Sequence, residues 1–152
     1  MKALRPILFG GIVAGTLDIL YAFIHYGIVY GVSPVRICHA VAAGVLGKEA
    51  ARAGGLETAT LGLGLHFMMA TMMAGFFVLL ASRMKWLTRK PWISGPVYGL
   101  VLYFVMNYIV VPLSNAGQAG PPQGQFLVGA LFTHMLFVGL PIALIAKRYS
   151  ED

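Results

Sequence analysis

"GTLDILYAFIHYG", residues 15–27, reads as an apolar helix interrupted by an aspartate at position 18 and a histidine at position 25. A surface helix would carry a polar stripe, and this segment has none; a helix that is apolar all round belongs in a core or a bilayer. Working outward, the apolar run extends from about Pro6 to Tyr30, long enough for the ~20 residues that cross a ~30 Å hydrocarbon layer. Three further runs of similar length follow, roughly Leu56 to Ser82, Trp92 to Pro112 and Phe126 to Ala146. Lys2 and Arg5 ahead of the first run imitate a signal peptide, but the run is too long and lacks an A-x-A-like cleavage site. It is therefore read as a transmembrane helix.

Composition agrees. The 152 residues are 59% hydrophobic and 11% charged, against the quarter or so of charged residues usual in a soluble domain. The expected fold is an all-α membrane protein, a single domain over residues 1–152 with four transmembrane helices in a bundle. A short outer helix of about residues 34–53 is expected between spans 1 and 2. Ser33 followed by Pro34 has the pattern of an N-cap and first helical residue, and helix formers continue to Gly54 and Gly55. This segment either lies at the interface or is tucked against the bundle mouth. The later connection "LSNAGQAGPPQGQ", residues 113–125, is read as a loop.

The net charge of +6 is informative through its placement. With the N-terminus in the cytoplasm, Lys2, Arg5, Arg83, Lys85, Arg89, Lys90, Lys147 and Arg148 lie inside, eight basic residues against Arg36, Lys48 and Arg52 outside. That bias predicts both termini in the cytoplasm. Trp86 and Trp92 flank the basic loop, where amphipathic rings settle at headgroup level. The lipid bilayer is the expected partner, and no nucleic-acid footprint is present. The single Cys38 excludes an intramolecular disulfide and multi-cysteine metal sites.

Polar residues within the spans carry the functional reading. At 1.5 Å per residue, Asp18 lies roughly 18 Å below the outer end of its span, His66 about 15 Å and His134 about 12 Å, with His25 and Asn107 nearer 8 Å. Asp18 and His25 are seven residues apart, nearly two full turns, and so share a helix face. The small residues Gly11 and Gly15 lie close to that face, and such spacing lets helices approach. A central Asp costs about 2.5–3.5 kcal/mol to place in lipid, so it is expected to point into the bundle. Asp18, His25, His66, Asn107 and His134 are thus candidates for ligand binding or proton relay. Interhelical packing accounts for the acid as well.

Haem b is an alternative. In a square of four sequential helices, His66 and His134 are diagonal and could supply two axial ligands, with Gly62, Gly64 and Gly129 opening room for the macrocycle. Asp18, His66 and His134 also form an acceptable metal-ligand set, although no short-spaced motif accompanies them. Asn107 and Tyr103, four apart, are expected to make interhelical hydrogen bonds. His39, beside Arg36, is expected to be solvated or to touch anionic headgroups, and Cys38 to pack as a small apolar residue. Pro112 and Pro141 should end or kink their helices, bringing Gly139 close to a neighbour. The methionines at 68, 69, 72 and 73 are read as packing residues.

The motif G-x-V-x-G occurs at Gly11–Gly15 and again at Gly95–Gly99, and the span after each carries one histidine, His66 or His134. Such a repeat implies a pseudo-two-fold axis along the membrane normal. No nucleophile elbow, Walker loop, H-E-x-x-H or dinucleotide fingerprint is present, which favours a non-enzymatic role. A proton-linked transporter is a further alternative; a lone bundle of this size leaves little room for a gated pathway, so transport would call for a homodimer or larger complex.

The order "GGIVAGTLD", "GVSPVRI", "LGLGLHF", "GPVYGLVLYFVMNYIVVPL" and "THMLFVGLPIAL" resembles small bacterial inner-membrane proteins of the YagU type. The resemblance spans most of the chain, and the YagU type is longer between its first two spans. It implies a four-helix inner-membrane protein and brings no reaction or functional residues. The expected role is an accessory or small-molecule-binding membrane component.

Overall fold

The computed structural model describes residues 3–117 and 123–150. Helix α1 (Leu4–Tyr30), α4 (Gly55–Arg83), α6 (Pro91–Leu113) and α7 (Phe126–Ser150) are each long and apolar enough to cross a membrane. They are the four expected spans, each lengthened by two to four residues. Between α1 and α4 lie α2 (Pro34–Leu46) and α3 (Lys48–Ala53), and a short α5 (Trp86–Arg89) joins α4 to α6. Lys2, Glu151, Asp152 and the middle of the 113–125 connection lie outside the described residues.

The apolar surface faces outward. No more than 28% of the residues in the most apolar stretch of any span are buried inside the protein. Leu8, Ile12, Ile24, Phe76, Leu79, Val97 and Val101 are among the exposed side chains, an arrangement that suits hydrocarbon and would be unfavourable in water. The interior is built from small residues. Ala14, Ala74, Ala143 and Ile142 pack with Phe77, Leu102 and Val138 in one cluster, which occupies the half of the bundle nearer α5. Without a strong hydrophobic drive between helices in lipid, close backbone approach supplies the packing.

Spans α1 and α4 pack side by side, α7 packs against both α1 and α6, and α4 also meets α7. Tyr98 bridges α6 to α4: its hydroxyl donates to the Met73 carbonyl at 2.7 Å and its ring meets Phe77. Ala3, Pro6, Lys85, Thr88, Ala146 and Tyr149 line one cleft. The start of α1, the α4–α6 connection and the end of α7 therefore share one end of the bundle.

Residues 34–53 form two helices instead of one. Gly47 breaks the run at φ 81° and ψ 161°, a region closed to residues with a side chain. Ser33 caps α2 by accepting from the Arg36 N–H at 3.4 Å, with Pro34 next to it, as the sequence predicts. Of the two placements open to this segment, α2 takes the tucked one: it lies directly against α4, where Gly62 faces the Cys38 carbonyl so closely that a Cβ would collide with it. Its other end is held by Asn115, whose backbone N–H donates to Gly44 at 2.9 Å and whose Nδ2 donates to Val45 at 2.7 Å. Helix α2 thus spans from α4 to the end of α6.

Two further departures come from proline. Met106–Val110 and His134–Gly139 are π-helical turns, each running up to a proline at 112 or 141. Proline has no N–H for the carbonyl four residues back, and its ring clashes with that carbonyl. Widening the turn accommodates both problems without ending the helix. As expected for Pro141, Gly139 lies against Gly95 and Gly99 of α6.

Candidate functional site

The site begins with a glycine. Gly11 and Gly15 of α1 face Thr71, Phe67 and Ala70 of α4 so closely that a Cβ at Gly15 would lie 2.8 Å from the Phe67 ring. This approach exposes the Gly15 carbonyl to the partner helix, and His66 uses it: Nε2 stands 2.8 Å from that oxygen. A carbonyl only accepts, so Nε2 carries the proton. Asp18 Oδ2, one turn along α1, lies 3.9 Å from the same nitrogen, beyond hydrogen-bond reach. Among the described residues the carboxylate accepts no hydrogen bond, and 28% of its side-chain surface stays uncovered against 13% for His66.

His134 approaches from the fourth span. It opens the π-helical turn of α7, its Nδ1 donates to the Ala130 carbonyl at 2.9 Å, and its ring meets Tyr103 edge-on at 5.7 Å. With Nδ1 as the donor, a neutral His134 presents its Nε2 lone pair. Both His66 and His134 lie within electrostatic reach of Asp18. Of the five sequence candidates, Asp18 and His66 therefore stand side by side from two helices, with His134 of a third within electrostatic reach of the acid.

The other two do not join them. His25 stacks on Tyr21 at 5.2 Å and meets Tyr26 and Tyr30 edge-on. Its Nε2 is buried without a hydrogen-bond partner, on the side facing Gly129 of α7. Sharing a helix face with Asp18 puts it two turns away, too far for contact. Asn107 donates to the Tyr103 carbonyl at 2.9 Å within its own helix, so the expected interhelical bond is not made; the π-helical turn provides a nearer acceptor. The Tyr103 hydroxyl is buried without a partner.

His39 corrects a second expectation. It is buried, 8% exposed, and bonded at 2.7 Å to the Gly55 carbonyl at the start of α4. The tucked position of α2 removes it from water and headgroups. Cys38 beside it is buried, and burial pushes its thiol up from the usual 9.0.

Sequence reasoning passed over the aromatic group. Tyr21, Tyr26 and Tyr30 of α1 and Phe126 of α7 form a continuous set of rings with His25, including a stacked Tyr30–Phe126 pair at 4.6 Å. Its signal was present in the i, i+4 spacing of Tyr21 with His25 and of Tyr26 with Tyr30. The rings rise from the level of Asp18 toward the α2 end of the bundle. On the opposite side, Ala14, one turn below Asp18, is fully buried in the apolar cluster.

The two G-x-V-x-G motifs do the same work. Gly11 and Gly15 seat α1 on α4, and Gly95 and Gly99 seat α6 on α7. The second glycine of each meets the histidine of the following span, Gly15 through the His66 ring and Gly99 through the His134 backbone. Three residues after the second glycine stand Asp18 in one hairpin and the buried apolar Leu102 in the other. At this position only the first half carries an acid.

The residues present do not fit a bis-histidine haem. His66 has committed Nε2 to Gly15, Gly62 is filled by the α2 backbone, and Gly64 faces open surface. Among the described residues no three His, Cys, Asp or Glu side chains are arranged to share a metal ion, which overturns the Asp18–His66–His134 metal set. The fold and site define a four-span helical membrane bundle with an acid and two imidazoles between its helices. No family model, curated protein or solved structure matches the chain.

Proposed function

We propose that the protein is a bacterial inner-membrane component that binds a small organic cation at Asp18, with His66 and His134 as flanking groups. It would group with the small inner-membrane proteins it resembles. The observation that carries this reading is the state of Asp18: a deep carboxylate with no hydrogen-bond donor among the described residues, partly uncovered, beside an imidazole committed elsewhere. An acid retained only for packing would be expected to hold a donor, since burying an unsatisfied polar group costs free energy. A primary ammonium ion supplies both the charge and the donors this carboxylate lacks. The apolar cluster below Ala14 supports access from the α2 side.

The eight-to-three bias of basic residues supports cytoplasmic termini, so that the site faces the outside. No catalytic step is assigned.

Thermal unfolding of the detergent-solubilised protein tests the binding reading. Methylammonium chloride should stabilise wild type more than equal sodium chloride does, and should not stabilise Asp18→Asn. Equal effects of both salts on both proteins would leave the cluster a packing device.

A further inference from the structure

The end of the bundle opposite α2 carries a second feature, independent of the Asp18 reading. A cleft of about 280 Å³ lies between the start of α1, the end of α4, the connection to α6 and the end of α7. Its walls are apolar, from Pro6, Val78, Ala81 and Ala146, and Lys85 and Tyr149 stand among its polar lining. Lys85 is exposed and makes no salt bridge among the described residues. Arg5, Arg83, Arg89, Lys90 and Arg148 belong to the chain segments that form this end of the bundle, while the described acids, Asp18, Glu49 and Glu57, lie away from this end.

We infer that this cleft binds an anionic phospholipid, with the headgroup phosphate at Lys85 and the glycerol and upper acyl chain against the apolar wall. Three observations converge on a lipid. The cleft joins a cationic rim to an apolar floor, which matches the two chemistries of a phospholipid and would waste the floor on a soluble phosphate. Trp86 and Trp92, 44% and 69% exposed, mark headgroup level beside it. Basic pockets between spans at the cytoplasmic face are suited to anionic headgroups, and the segments that form this end carry eight Lys and Arg against two acids, Glu151 and Asp152, an excess that favours an anionic lipid over a zwitterionic one.

The test uses the full chain in detergent, with lipid binding followed by native mass spectrometry and by the unfolding midpoint. Phosphatidylglycerol should bind and stabilise, while phosphatidylcholine with the same acyl chains and glycerol 3-phosphate alone should not. Lys85→Gln should weaken phosphatidylglycerol binding about fivefold, the worth of one basic residue at the surface. Lys85→Arg should restore it. Lys90→Gln removes the same charge from the same end but outside the cleft, and should weaken binding less than Lys85→Gln does. Equal loss in Lys85→Gln and Lys90→Gln would show diffuse attraction and overturn the site. So would equal binding of the two lipids, or full stabilisation by glycerol 3-phosphate.

Discussion

His66 Nε2 donates to the Gly15 carbonyl at 2.8 Å, and Asp18 Oδ2 is left 3.9 Å from the same proton donor. The imidazole therefore ties α4 to α1 through backbone, and the carboxylate stands beside this tie without belonging to it. Stability and ligand binding can be separated by mutation.

Removing the tie should destabilise without changing the acid. His66→Ala should cost on the order of 1 kcal/mol, as interhelical hydrogen bonds in membranes do. His66→Gln, which can still donate, should lose less than half of that. Unfolding in mixed detergent measures both, and equal losses would contradict the hydrogen bond's role.

The close approach of α6 to α7 should be intolerant of a single methyl group. A Cβ at position 99 would collide with the His134 carbonyl, whereas nothing lies within 4 Å of one at position 64. Gly99→Ala should cost about 1–3 kcal/mol from overpacking. Gly64→Ala should gain up to about 1 kcal/mol from helix propensity. Unfolding midpoints that move in the same direction would contradict the packing described.

Cys38 reports on α2. Its thiol is buried and its pKa is raised by that burial, so the folded protein holds the proton more tightly than the unfolded chain. The sign follows: folding stability falls as pH rises through and above about 9, where the unfolded thiol ionises first. Maleimide should label Cys38 slowly in the folded protein at neutral pH and rapidly in denaturing detergent. Asn115→Ala, which removes the 2.7 Å bond to Val45, should speed folded-state labelling several-fold. An unchanged rate would mean that Asn115 does not hold α2 in place.

Much of this architecture was legible in the residues. The four spans follow from hydropathy and length, the start of α2 from Ser33–Pro34, and the matching depth of Asp18 and His66 from helix rise. What escaped depends on contacts between elements. Gly47 does not announce a break within a run of helix formers, and the burial of His39 requires knowing that α2 packs on α4. Depth along a helix likewise says nothing of side-chain direction, which is why Asn107 fell to its own helix and His25 to the aromatic group. The missed rings are common residues at common spacing, and only the approach of Phe126 from α7 gives them meaning.

The central claim is that Asp18 binds a cation, and equilibrium binding of radiolabelled methylammonium to purified wild type, Asp18→Asn and His66→Gln tests it most directly. Binding should be saturable, one ion per chain, should fall at least about tenfold in Asp18→Asn, the loss of a charge-assisted contact, and should persist in His66→Gln. Absence of saturable binding to wild type, or equal binding to wild type and Asp18→Asn, would contradict it.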